Sequence, residues 1–127
     1  MNIFLDDDLQ MRQTPQGFKR FVTGQDLIDY VSQHDFRLDI GIISFDNDLG
    51  TDIEGYDVLK FLVRHDISAR LWNLHTANVV ARNNMNLYLA SAMSAGVIDT
   101  ARVVMFSSKE INDLINKGGL ELSLIHI

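Results

Sequence analysis

The run Ile40-Gly41-Ile42-Ile43-Ser44-Phe45 empties directly into Asp46-Asn47-Asp48-Leu49-Gly50. β-Branched and aromatic residues at that density predict a buried strand. In an open α/β sheet, ligands bind beyond the carboxyl ends of the strands, so Asp46 and Asp48 are expected at a functional rim. The same grammar recurs twice. Asn2-Ile3-Phe4-Leu5 runs into Asp6-Asp7-Asp8, and Leu71-Trp72-Asn73-Leu74 runs into His75-Thr76-Ala77-Asn78. Three apolar strands that each end in a polar cluster are more than core packing requires.

The rest of the chain reads as an alternation. Strands are expected at 2–6, 18–22, 38–45, 70–74 and 102–106. One helix opens at the capping box Thr23-Gly24-Gln25-Asp26 with Leu27, Ile28 and Val31 on its apolar face. After the loop 47–54, the spacing of Tyr56, Leu59, Leu62 and Val63 predicts a second helix. A third is expected over 84–95 with Gly96 as its C-cap, and Ser107-Ser108-Lys109-Glu110 caps a last one that ends at Gly118-Gly119. Segment 7–17, which holds the single proline Pro15, is expected to be irregular. Strands alternating with helices predict an α/β fold with a parallel sheet covered on both faces.

Composition narrows the chemistry. At 127 residues and 46% hydrophobic content the chain suits one domain with a real core. It has no cysteine, which excludes disulfides and thiolate metal sites. A metal would have to be a hard cation such as Mg²⁺, held by oxygen ligands. A net charge of −6 argues against tight binding along a nucleic-acid backbone. The opening residues lack a secretory signal pattern and no apolar run has the length of a membrane span, so a cytoplasmic protein is expected. The final Leu122-Ser123-Leu124-Ile125-His126-Ile127 matches a translation of the mosaic-end adapter of transposase-based sequencing libraries. The expectation is therefore one domain over 1–121, with 122–127 as adapter read-through.

Paired carboxylates at adjacent strand ends repel unless a proton or a cation bridges them. Asp6, Asp7 and Asp46 together are thus expected to hold a divalent ion, whereas Asp8 reads as a solvated loop residue. His75 is expected to serve as a general acid or base, beside Thr76 and Asn78, which can donate to phosphate oxygens. Arg82 is either a phosphate ligand or a surface arginine. His34 and His65 read as polar residues at helix ends. Gly50 and Gly55 read as turn and helix-start residues, and Ser107 as a cap.

This assembly resembles the cyclic-phosphate-processing receiver-like domains of bacteria and phages. The resemblance is carried by Asn2-Ile3-Phe4-Leu5-Asp6-Asp7, by Thr14-Pro15-Gln16-Gly17-Phe18, and by Ser44-Phe45-Asp46-Asn47-Asp48-Leu49-Gly50 with Gly55-Tyr56-Asp57. It continues through His75-Thr76-Ala77-Asn78 to Arg82 and Asn84-Met85. It implies a receiver-like, flavodoxin-like three-layer sandwich with a five-stranded parallel sheet of order 2-1-3-4-5. The helix between the first two strands would be degenerate, replaced by 7–17.

The resemblance further implies a metal-dependent phosphoesterase that processes an RNA 2′,3′-cyclic phosphate end or a cyclic nucleotide, in RNA repair or phage–host conflict. Asp6, Asp7 and Asp46 would hold Mg²⁺ or Mn²⁺, with Asp48 adding its backbone carbonyl. His75 and Thr76 would act in catalysis, and Asn78, Arg82 and Asn84 would bind the phosphate. Asp46 could instead be the nucleophile. Two other readings stay open: a signalling receiver that takes phosphate on Asp46, for which Lys109 is a loose match to the required lysine, and a non-catalytic binding module. The chain departs from the family pattern at Asn47, where histidine is common, and at Val79 and Ala81, where proline and glycine are usual. The first departure removes an acid/base or ligand, so either His75 carries the proton transfer or activity is reduced.

Overall fold

β3 (Ile40–Phe45) is buried along its whole length, which is why its sequence is apolar without alternation. The computed structural model describes residues 1–10, 12–99 and 102–116. It places β3 at the centre of one sheet with β1 (Asn2–Leu5), β2 (Phe18–Phe21), β4 (Ala69–Leu74) and β5 (Arg102–Val104). All pairings are parallel and the order is β2-β1-β3-β4-β5, the flavodoxin-like receiver arrangement expected. The helices are α1 (Gly24–Gln33), α2 (Gly55–Arg64), α3 (Val79–Ser94) and α4 (Ser108–Asn116).

Register decides what each face carries. Arg20, Phe4, Ser44, Asn73 and Val104 lie in one row across the five strands. Side chains alternate along a strand, so residues two further on share that face: Asp6, Asp46 and His75. The opposite face presents Ile3, Leu5, Ile43, Phe45, Trp72 and Leu74 to α1, α2 and α3, forming the main core. On the polar face, Ile111 of α4 packs on Ile42 and Leu71. No helix occurs among the described residues between β1 and β2. Their crossover is the irregular segment that the sequence predicts, and it lies over the strand ends that carry the carboxylates.

The local signals act as their chemistry dictates. Thr23 caps α1 by accepting from the Asp26 N–H at 3.1 Å. Ser107 and Glu110 form a reciprocal capping box at α4, with hydrogen bonds of 3.1 and 3.3 Å. Gly96 follows the α3 C-cap Ala95 with a left-handed φ of 73°. Three boundaries move by two residues or more: β3 begins at Ile40 rather than 38, β5 ends at Val104 rather than 106, and α3 begins at Val79 rather than 84, because Asn78 caps it by accepting from the Ala81 N–H at 3.0 Å. Apolar spacing missed that first turn because Val79 and Val80 are exposed. The expected end of α4 at 118–119, the domain limit at 121 and the tail 122–127 lie outside the described residues.

Candidate functional site

The carboxyl ends of β1 and β3 bring Asp6, Asp7 and Asp46 together, with one oxygen of each within 4.8 Å of the others. Asp6 is fully buried and Asp46 nearly so. Arg12, from the irregular segment, inserts a guanidinium between two of them. Its Nη1 donates to Asp6 Oδ2 at 3.1 Å and to Asp46 Oδ2 at 3.0 Å. The donor set is three hard oxygen ligands, and a cationic side chain stands among them. A divalent ion therefore fits this group of residues.

Behind the carboxylates runs a buried polar relay. His75 Nε2 meets Asp6 Oδ2 at 2.8 Å, and its Nδ1 meets Ser44 Oγ at 2.6 Å. Ser44 accepts from Asn73 Nδ2 at 2.8 Å, and Asn73 exchanges two hydrogen bonds with the backbone of Phe106. The Asp6 carboxylate can only accept, so Nε2–H donates to it, and in the neutral imidazole Nδ1 then accepts the Ser44 hydroxyl proton. The His75 ring stacks on Phe4 with 4.7 Å between centroids. Its side chain has no exposed surface. Among the described residues, the ring's hydrogen-bonding and stacking partners are Asp6, Ser44 and Phe4, which sets His75 behind the carboxylates.

Ser44→Ala would leave His75 Nδ1 without a partner while Asn73 keeps its bonds to Phe106. An orphaned buried polar atom costs about 1–3 kcal/mol. Urea unfolding of Ser44→Ala is expected to show a loss of that size, and unchanged stability would contradict the relay.

The same setting splits the two carboxyls. Burial pushes Asp6 up, but hydrogen bonds from His75 and from the Asp8 N–H outweigh it and hold Asp6 below the ordinary carboxylate value. Burial and the adjacent charge of Asp6 push Asp46 above that value, against the weaker pull of Arg12 and a hydrogen bond with Thr76. The signs are opposite. Stability from Asp6 is present above the ordinary value and lost as pH falls through its lowered one. Stability from Asp46 is present below the ordinary value and lost as pH rises through its raised one. In chelator, the urea midpoint of the wild type is expected to fall across that upper window, and Asp46→Asn is expected to remove the fall. A variant curve that still falls there would contradict the assignment to Asp46.

The remaining expected residues divide. Thr76 is buried beside Asp46, and its Oγ1 accepts from the Asn78 N–H at 3.2 Å. Asn78 both caps α3 and donates to Asp48 Oδ1 at 3.2 Å. Asp48 is exposed, and its carboxylate is not among the three clustered groups. Arg82 lies in the first turn of α3, and its Nε is buried without a hydrogen-bond partner among the described residues. Asn84 lines an open groove of about 320 Å³ with Asn47, Glu54, Tyr56, Asp57 and Asn78, between the N-terminal ends of α2 and α3. Lys109 is exposed on α4. Asn47 is structural: its Oδ1 accepts from the Tyr56 N–H at 3.0 Å and its Nδ2 donates to Asp48 at 3.1 Å.

Sequence reasoning missed Arg12 and Arg20. Arg20 donates from Nε to the Asp6 carbonyl at 3.1 Å and from Nη1 to the Arg12 carbonyl at 2.6 Å, clamping the irregular segment to β1. A signal for Arg20 existed, since a cation in a short strand beside an acidic strand end calls for a partner. None existed for Arg12, whose placement depends on how an irregular segment closes.

Fold and site together define a receiver-like α/β domain with an acidic rim. The family profile described as the cyclic-phosphate processing Receiver domain matches residues 1–91, and the chain belongs to that family. Searches of curated proteins and of solved structures gave no match. No helix among the described residues is long and apolar enough to cross a membrane.

Proposed function

We propose that this protein opens a cyclic phosphate, at an RNA 2′,3′-cyclic end or in a cyclic nucleotide, by metal-dependent hydrolysis. The observation that carries the reading is the convergence of Asp6, Asp7 and Asp46 within 4.8 Å in a chain of this family. These three would hold Mg²⁺ or Mn²⁺, and the backbone carbonyl of Asp48 would add a ligand. The bound ion would polarise the phosphoryl group and offset charge in the transition state. Water adds to phosphorus, one ribose P–O bond breaks, and the products are a phosphomonoester and a free hydroxyl. The ribose oxygen takes its proton from solvent at the open rim. His75 positions Asp6 through the relay rather than touching the reacting atoms. Thr76, Asn78 and Arg82 orient the non-bridging oxygens, with Asn78 releasing Asp48 to do so.

The groove beside the rim gives the nucleoside a place, with Asn84 at its edge. Glu54 and Asp57 in its lining, with the net charge of −6, favour a single nucleotide or an RNA end over a continuous backbone. Cytoplasmic RNA repair or phage–host conflict is the setting such chemistry suits. The test is to incubate the protein and Mg²⁺ with an oligoribonucleotide ending in a 2′,3′-cyclic phosphate and with cyclic nucleotides, separating the products by chromatography. A linear phosphomonoester that no longer forms in chelator is expected. Intact ligand recovered from folded, metal-binding protein would replace hydrolysis with sequestration.

A further inference from the structure

Arg12 holds its carboxylates in an unusual way. A guanidinium is at its best when two N–H groups meet one carboxylate in parallel. Here one nitrogen, Nη1, is shared between Asp6 at 3.1 Å and Asp46 at 3.0 Å, as a point charge would be. Both acceptor oxygens belong to residues of the acidic cluster. Meanwhile the Arg12 backbone is tied down at both ends: its carbonyl accepts from Arg20 at 2.6 Å, and its N–H donates to the Asp8 carbonyl at 3.1 Å. Arg20 is itself fixed over the Phe4 ring, 5.3 Å from its centroid. The backbone tether is fixed, whereas the Arg12 side chain remains 31% exposed to solvent.

We propose that Arg12 is a built-in counter-cation that yields its place to the divalent ion and then binds the substrate phosphate. The inference rests on the metal-dependent reading above. A guanidinium and a divalent ion held against the same carboxylate oxygens repel each other at contact distance, and Asp6 Oδ2 already accepts from His75 as well as Arg12; the doubly charged ion gains more from three carboxylates than a guanidinium gains from two. Once displaced, the tethered guanidinium presents up to five N–H donors at the rim where the phosphoryl group arrives. Metal and phosphate then favour each other's binding, because phosphate holds the displaced Arg12 away from the carboxylates. Such coupling is reciprocal.

Mn²⁺ titration by calorimetry, with and without inorganic phosphate, tests this in the wild type and in Arg12→Gln. Without phosphate, Arg12→Gln is expected to bind Mn²⁺ about tenfold more tightly, since its competitor is gone. Saturating phosphate is expected to tighten Mn²⁺ binding severalfold in the wild type and hardly at all in the variant. Equal or weaker Mn²⁺ binding by Arg12→Gln, or a phosphate effect that survives the substitution, overturns the proposal. A second measurement needs no variant: the guanidinium resonances of Arg12 in ¹⁵N-arginine-labelled wild type should move on addition of Mg²⁺, and unmoved resonances at saturation overturn it. These readouts are independent of turnover. Metal that binds both proteins alike removes the role of Arg12 and leaves the hydrolytic reading standing, whereas metal that binds neither removes both.

Discussion

Asp46→Asn is expected to reduce cyclic-phosphate turnover on the order of 1,000-fold, about 4 kcal/mol of transition-state stabilisation. The substitution removes one of the three clustered carboxylates while keeping the side chain's size. It also removes the like charge that Asp46 sets against Asp6, which together with burial raises its own titration. The metal-free variant should therefore be at least as stable as the wild type near neutral pH, and activity and stability should move apart. Steady-state kinetics beside urea unfolding in chelator read both. A variant that loses activity only because it unfolds would contradict the assignment of Asp46 to metal and phosphate chemistry.

Gly55→Ala is expected to destabilise the fold by about 3 kcal/mol or more, lowering Tm by roughly 10 °C. A Cβ at Gly55 would lie 2.0 Å from the Asp46 carbonyl oxygen and 2.9 Å from Asn47 Cα. The obstruction is backbone, which cannot turn aside as a side chain can. Relief would have to come by shifting α2 or the Asp46–Asn47 turn. That junction is also bonded, since the Gly55 N–H donates to the Asn47 carbonyl at 2.9 Å. The close approach seats the first turn of α2 against Asp46, one of the three clustered carboxylates. Thermal unfolding of Gly55→Ala within a few degrees of the wild type would contradict this account of the glycine.

The strands could be read because burial on both faces leaves an unmistakable apolar run, as in Ile40 to Phe45, and because each run stops at a polar cluster. Gly55 was visible as a helix-start residue, but not the reason for it, which is the proximity of a backbone nine residues away. Ser44 and Asn73 were the available clue to the relay. Each is a polar residue within an apolar strand, and they are register partners in β3 and β4. Recognising them required knowing that the two strands are neighbours. The start of α3 escaped because its first two residues, Val79 and Val80, face outward. Arg12 escaped for a different reason: no periodicity links an irregular segment to the sheet, so its ion pairs follow only from tertiary closure.

The most direct measurement of the central claim is an anomalous difference map from crystals of the protein soaked in Mn²⁺. The account predicts a peak coordinated by carboxylate oxygens of Asp6, Asp7 and Asp46, with the Arg12 guanidinium withdrawn from between Asp6 and Asp46. A map without a peak there at saturating Mn²⁺, with Arg12 still bridging the two carboxylates, would contradict it.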